Sequence, residues 1–242
     1  MSRVVLASAS PARLATLRAA GIHPDVVVSG VDESLVRESD PALLVSRLAA
    51  RKAHAVVEKL GADPGPEEPP LRVWVLGCDS VLAFDGEILG RPADAADAVR
   101  RWQRMRGGSG VLHTGHCLVE LGSGTAVERA VETTVHFAEL ADEEIEAYVA
   151  TGEPLEVAGA FTVDGLGGPY VTGVEGDHHN VVGLSLPVLR EMFAELGVAW
   201  HRLWPRSTGA GGSATLRSSQ GPALEAGGAE DDEPAQGPEP AR

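Results

Sequence analysis

Two short stretches of the chain combine residue types that could handle a phosphate group. The first is Leu6-Ala7-Ser8-Ala9-Ser10-Pro11-Ala12-Arg13. An apolar run ends in hydroxyl residues, and a proline stands where the first turn of a helix would begin. A helix opening there aims free N–H groups and the positive end of its dipole at the preceding loop, which makes an anion site. Ser8 and Ser10 can donate to phosphate oxygens, and Arg13 can add a forked, charged contact. The same residues also fit a plain N-cap at Ser10 and a solvated Arg13. The second stretch is Val75-Leu76-Gly77-Cys78-Asp79-Ser80-Val81-Leu82. It places a carboxylate just beyond an apolar run that reads as a buried strand. In open α/β sheets ligands gather beyond the carboxyl ends of strands. Asp79 there could deprotonate water or hold a metal, or it could cap the following turn.

Several weaker features accompany these. Val31-Asp32-Glu33 follows a second apolar run, so Asp32 or Glu33 could reach the same sheet edge. Lys52 lies among apolar residues at helical spacing, and Arg91 follows a hairpin-like turn, Gly86 to Gly90. Glycines cluster between Gly152 and Gly183, which suits tight turns that let backbone approach a ligand. His178-His179-Asn180 reads as a loop or structural segment, because adjacent residues of an extended chain point opposite ways and seldom share one metal. His113 and His116 fall on opposite faces of a strand and read as structural.

The elements that must position these residues alternate between strand and helix. Val4 to Ala7 reads as a strand, and Ser10-Pro11 opens a helix that Gly21 closes. Asp25 to Ser29 is a second strand. Pro41 to Leu60 carries Leu44, Leu48 and Val56 at helical spacing. Val73 to Gly77 suits a buried strand, and Asp94 to Met105 a helix. His113 to Leu121 and Val127 to Leu140 read as antiparallel strands across Gly122-Ser123-Gly124. Asp142 caps a helix that Gly152 ends, Leu186 to Leu196 forms the last helix, and Trp200 to Leu203 the last strand. The pattern gives an α/β fold with a mixed sheet.

The chain of 242 residues is 43% hydrophobic, enough for one sizeable domain or two small lobes sharing a core. Residues 1–205 read as that domain. From Arg206 the chain turns Gly-, Ser-, Pro- and acid-rich, and residues 206–242 read as a disordered tail. Gly61 to Pro70, with four prolines, reads as a surface loop. The net charge is −15, of which −12 belongs to the body, because the tail sets six acids against three arginines. That balance argues against nucleic acid or an anionic membrane as partner. No run approaches the ~20 apolar residues of a membrane span. Cys78 and Cys117 form no paired motif, which fits a reducing compartment and a cytoplasmic location.

The ordered series Ser8-x-Ser10-x-x-Arg13, Val31-Asp32-Glu33, Arg51-Lys52-Ala53, Asp79-Ser80-Val81 with Leu89-Gly90-Arg91-Pro92, His113-Thr114-Gly115, Tyr148 to Pro154, Ala158-Gly159-Ala160 and Val181 to Leu184 resembles the Maf family. The similarity runs from about Arg3 to Leu203. It implies a mixed twisted sheet in two lobes around a deep cleft, as in the inosine-triphosphate pyrophosphatases. It also implies hydrolysis of nucleoside triphosphates to monophosphate and pyrophosphate with a divalent metal, Mg²⁺ or Mn²⁺. On this resemblance Asp79 is the proton acceptor. The family's phosphate and metal positions map onto Ser8, Arg13, Glu33, Lys52 and Arg91; Ser10 and Ser80 join the candidate phosphate-binding set, and Glu33 and Asp79 are the candidate metal ligands. The expected partner is a small nucleotide, and a homodimer is allowed. The rival reading is a nucleotide-binding regulator of septum formation with little hydrolysis.

This chain departs from the family's pattern at Ala12 and Val157, which replace basic residues, and at Arg91, which replaces a lysine. Ser80 replaces a threonine. Asp164 stands where the thymidine/uridine-type subgroup has glutamine, and its carboxylate could accept hydrogen bonds from a base amino or imino group.

Overall fold

The structure is a computed structural model that describes residues 2–61 and 72–205. The expected disordered tail, and all of the expected Gly61–Pro70 loop except Gly61, lie outside the described residues. The first strand, β1 (Ser2–Leu6), leads into helix α1 (Pro11–Ala19), with Ser10 as N-cap accepting from the Arg13 N–H. β2 spans only Asp25–Val26, shorter than the expected Asp25 to Ser29. Helix α2 (Pro41–Leu60) is capped by Asp40, whose side chain accepts from the N–H groups of Ala42 and Leu43. Its buried stripe is Val45, Leu48, Ala49, Lys52, Ala53 and Val56, the three-and-four spacing of a helix face laid on a sheet.

Strand β3 (Arg72–Phe84) does not end at Gly77 as expected but runs on for 13 residues, so Asp79 lies inside it. The reason is its partner. β5 (Ser109–Glu120) pairs antiparallel with β3 from Trp74↔Glu120 to Ala83↔Val111, and this ladder satisfies the backbone beyond the glycine. The hairpin strand β4 (Glu87–Leu89) folds back on the end of β3, and helix α3 (Ala95–Met105) follows. β6 (Ala126–Phe137) pairs with β5 across the expected turn. In helix α4 (Asp142–Ala150), Asp142 lies in the first turn rather than capping it, and the Glu144 carboxylate accepts from the Ala141 N–H. β7 (Val171–Glu175) adds to β6.

Two further expectations are corrected. His178–Val182 is a short helix, α5, capped by Asp177, not a loop. Beyond the last long helix, α6 (Leu186–Glu195), Trp200–Arg202 is a single 3-10 turn and not a strand. Trp200 packs edge-on against Phe193 of α6, so the segment's apolar content covers a helix.

The sheet order is β2-β1-β3-β5-β6-β7, with β4 on β3; the first three strands are parallel and the rest antiparallel. The amino-terminal half of β3 carries core on both faces, Trp74 and Leu76 with Phe193 on one, Val73 and Val75 with α2 on the other. The far ends of β3 and β5 enter a second core around Trp102, Phe137 and Tyr148. Two lobes therefore share two long strands, and the cleft opens where the cores part. Among the described residues no helix is long and apolar enough to cross a membrane.

Candidate active site

Gly77 and Gly115 decide where α2 sits. A Cβ on Gly77 would lie 2.8 Å from the Ala53 nitrogen and closer still to the Ala49 carbonyl oxygen; one on Gly115 would lie 2.7 Å from the Ser46 nitrogen and would collide with the Val45 carbonyl. With no side chain at either position, helix backbone rests directly on sheet backbone. Asp79 faces the same side, two residues beyond Gly77 and in register with Gly115. Lys52, on the seated face of α2, then meets it.

The Lys52 ammonium donates to Asp79 Oδ1 and lies 2.6 Å from Glu33 Oε1. Asp79 and Lys52 are buried, at 6% and 8% exposure. Glu33 is exposed, at the start of a 3-10 turn, Glu33–Leu35. Asp32 does not reach the site; its carboxylate caps that turn, accepting from Ser34 N–H at 3.0 Å. Burial pushes the Asp79 carboxyl above the usual aspartate range, with the charges of Lys52 and Arg13 acting in the opposite direction.

On the other face of β3, Arg13 is buried and its guanidinium makes four hydrogen bonds within the protein. It donates to the Gly183 carbonyl at 2.8 Å, the Cys78 carbonyl at 2.9 Å, Ser80 Oγ at 2.9 Å and Ser8 Oγ at 3.2 Å. Ser80 Oγ also lies 2.9 Å from Thr114 Oγ1, which donates to the Asn180 carbonyl. Asn180, wholly buried, donates to Val131 O and Thr133 Oγ1. This chain of bonds ties α1, β3, β5 and α5 behind Asp79.

The residues singled out from the sequence converge. Ser10, Arg13, Glu33, Lys52, Asp79 and Ser80 line one cleft, and Arg91 and Asp164 line its second-lobe side. Ser8 does not line it; it sits behind, accepting from Ser10 N–H and Arg13. Glu156 and Thr162 also face the cleft and were not identifiable, since neither lies in a turn or strand pattern that singles it out. Glu153 has a visible organising role. Its carboxylate accepts from Tyr148 Oη, Thr162 Oγ1, Leu166 N–H and Gly167 N–H, fixing the segment that supplies Phe161 to Asp164.

His113 and His116 point to opposite faces, as their spacing requires. Burial lowers His116 to about 4, with the Arg13 charge adding to the effect, so it is neutral and accepts from Ser185 N–H. Burial raises the Cys78 thiol to about 11, which leaves no thiolate for chemistry. Among the described residues no group of three or more His, Cys, Asp or Glu side chains gathers as a metal cage. In the cleft, Glu33 and Asp79 already share one cation, the Lys52 ammonium. Two carboxylates completed by phosphate oxygens suit magnesium, which rarely takes an all-protein cage.

A family model described as Maf-like protein matches residues 3–196. The chain is 57% identical over 223 residues to a protein of Salinispora tropica named nucleoside triphosphate pyrophosphatase, covering 90% of this chain and 96% of that one. A protein of the same name from Streptomyces coelicolor is 52% identical over 202 residues, covering 84% and 94%. One from Mycobacterium sp. (strain JLS) is 49% identical over 213 residues, covering 85% and 99%.

Proposed function

The chain belongs to the Maf-like family, and on that footing we propose that it hydrolyses nucleoside 5′-triphosphates to the monophosphate and pyrophosphate, with Asp79 as the base. It is a hydrolase acting on an acid anhydride. The observation that carries the assignment of the base is the buried Asp79–Lys52 pair on the cleft wall, with Glu33 on the same ammonium.

Attack of water on the α-phosphorus forms one P–O bond and breaks the bond to the β-phosphate oxygen, releasing pyrophosphate. The water's proton goes to Asp79. A carboxylate raised above its ordinary range by burial holds that proton better than a solvated one. Lys52 and Arg91 line the cleft with charges for the departing phosphates, and Ser10 offers a hydroxyl at the start of α1. Arg13 contributes field rather than a free fork, because its donors hold Ser8, Cys78, Ser80 and Gly183. Glu33 and Asp79 are the residues that would hold a divalent cation, which when bound would neutralise triphosphate charge. Asp164 and Glu156 line the second-lobe side; a nucleoside seated there would meet two acceptors, which favours a base presenting donors. Two free, buried cysteines accord with action in the cytoplasm.

The rival reading as a regulator with little hydrolysis is not favoured, since pure binding does not require a buried base on the wall of the cleft. Asp79→Asn tests the reading: pyrophosphate release should fall by about 10²- to 10⁴-fold, the usual worth of a general base. Binding of a non-hydrolysable triphosphate should survive. Wild-type-like turnover by that variant would sink the assignment.

A further inference from the structure

Lys52 is oddly placed for a residue that must grip phosphate. Its only polar partners among the described residues are the two carboxylates of Asp79 and Glu33. Its side chain is 10% exposed, so the ammonium is drawn in between them and does not extend into the open cleft. The position follows from backbone contact: Gly77 and Gly115 let α2 down onto the sheet, which brings Lys52 within reach of Asp79.

The charge count around that nitrogen is instructive. Two carboxylates and one ammonium leave a net −1. A carboxylate pair, one member buried and one exposed, that shares a single ammonium is a cation site with a cation already in it. A divalent ion held by the same oxygens would bring the pair to neutrality and leave the ammonium without a partner. A triphosphate in the cleft would then supply it with a new partner.

We propose that Lys52 is a built-in stand-in for the divalent cation: in the free protein its ammonium occupies Glu33 and Asp79, and loading of metal with nucleotide displaces it onto the phosphates. This rests on the reading of Glu33 and Asp79 given above. The exchange is one of ion pairs, with no covalent step. It keeps Asp79 compensated before substrate arrives and makes metal binding weak until a triphosphate supplies both further oxygens and a new partner for the lysine. Binding of metal and nucleotide is thereby coupled through one side chain.

The test is Mn²⁺ binding to the full chain without nucleotide, followed by the magnetic resonance signal of free Mn²⁺ at mildly alkaline pH. Lys52→Met should bind Mn²⁺ at least about tenfold more tightly than wild type, because a competing unit charge a few ångströms from the oxygens is gone. Lys52→Arg, which keeps a competing cation, should stay weak. Equal or weaker binding by Lys52→Met, with its fold verified by thermal melting, overturns the proposal while leaving the carboxylate site standing. Absence of Mn²⁺ binding in every variant even with a non-hydrolysable triphosphate, or binding that survives in Glu33→Gln, overturns the carboxylate reading as well. Should Lys52→Met not fold, acetylation of wild-type Lys52 mapped by mass spectrometry replaces it. Mn²⁺ with a short triphosphate-free incubation should raise the reactivity of Lys52, and unchanged reactivity at saturating Mn²⁺ overturns the exchange.

Discussion

Asp79 shows how one carboxylate acquires a task from its surroundings. A solvated aspartate near pKa ~3.9 is a poor base at neutral pH. Here burial raises the carboxyl, while Lys52 and Arg13 oppose the rise and keep the ionised form accessible. The sign for activity follows. The base must be ionised, so turnover is lost as pH falls through a raised pKa. The acid limb of kcat/KM should therefore lie above the range of an ordinary aspartate, and a limb at or below ~3.9 would contradict the assignment. Rates of pyrophosphate release across pH measure it directly. At this scale Arg13 is the counterexample: an arginine with the right motif spacing that spends four of its five donors inside the protein.

At the scale of elements, the second-lobe side of the cleft depends on a residue that does not touch it. Glu153 gathers the Tyr148 hydroxyl at 3.0 Å, the Thr162 hydroxyl at 2.5 Å and the N–H groups of Leu166 and Gly167 at 3.0 Å. Burial pushes its carboxyl up, but these donors outweigh burial and leave it lowered, so the group is an ionised acceptor. Glu153→Gln keeps shape but loses acceptors, and hydrogen bonds to a charged group are worth about 1.5–3 kcal/mol. The expected outcome is a KM raised roughly tenfold with kcat within a fewfold of wild type, because Asp79 and Lys52 sit on other elements. A loss of kcat with unchanged KM would show that the segment from Phe161 to Asp164 does not act as a binding wall. The same logic of elements governs α2, whose close approach to the sheet rests on two glycines.

For the whole molecule, buried polar groups link stability to pH. His116 is wholly buried and lowered from 6.5 to about 4. A group depressed in the folded state stabilises above its unfolded pKa, and that contribution is lost as pH falls from 6.5 towards 4. The gap corresponds to about 3 kcal/mol over that window. Urea unfolding midpoints should fall across it, and His116→Gln, which can still accept from Ser185 N–H, should flatten the decline. An unchanged decline in the variant would assign acid sensitivity to other groups.

The sequence by itself determined the class of fold, the order of most elements, the ends of α1 and α2, and many but not all of the residues that meet in the cleft. These follow from local physics: capping side chains, prolines at first turns, helical and alternating periodicity, and an ordered series of motifs across the body. It did not determine the length of β3, the shortness of β2, the helix at His178–Val182 or the turn at Trp200–Arg202. Each of those depends on a partner distant in the chain. Asp79 could not be distinguished from a turn cap locally, because only pairing with β5 carries β3 past Gly77. The roles within the site were decided the same way. That Asp32 caps while Glu33 reaches Lys52, that Ser8 stands behind the cleft, and that Arg13 binds protein rather than facing solvent are consequences of packing two lobes onto shared strands. A periodic pattern records which face of an element is buried; it does not record what lies opposite.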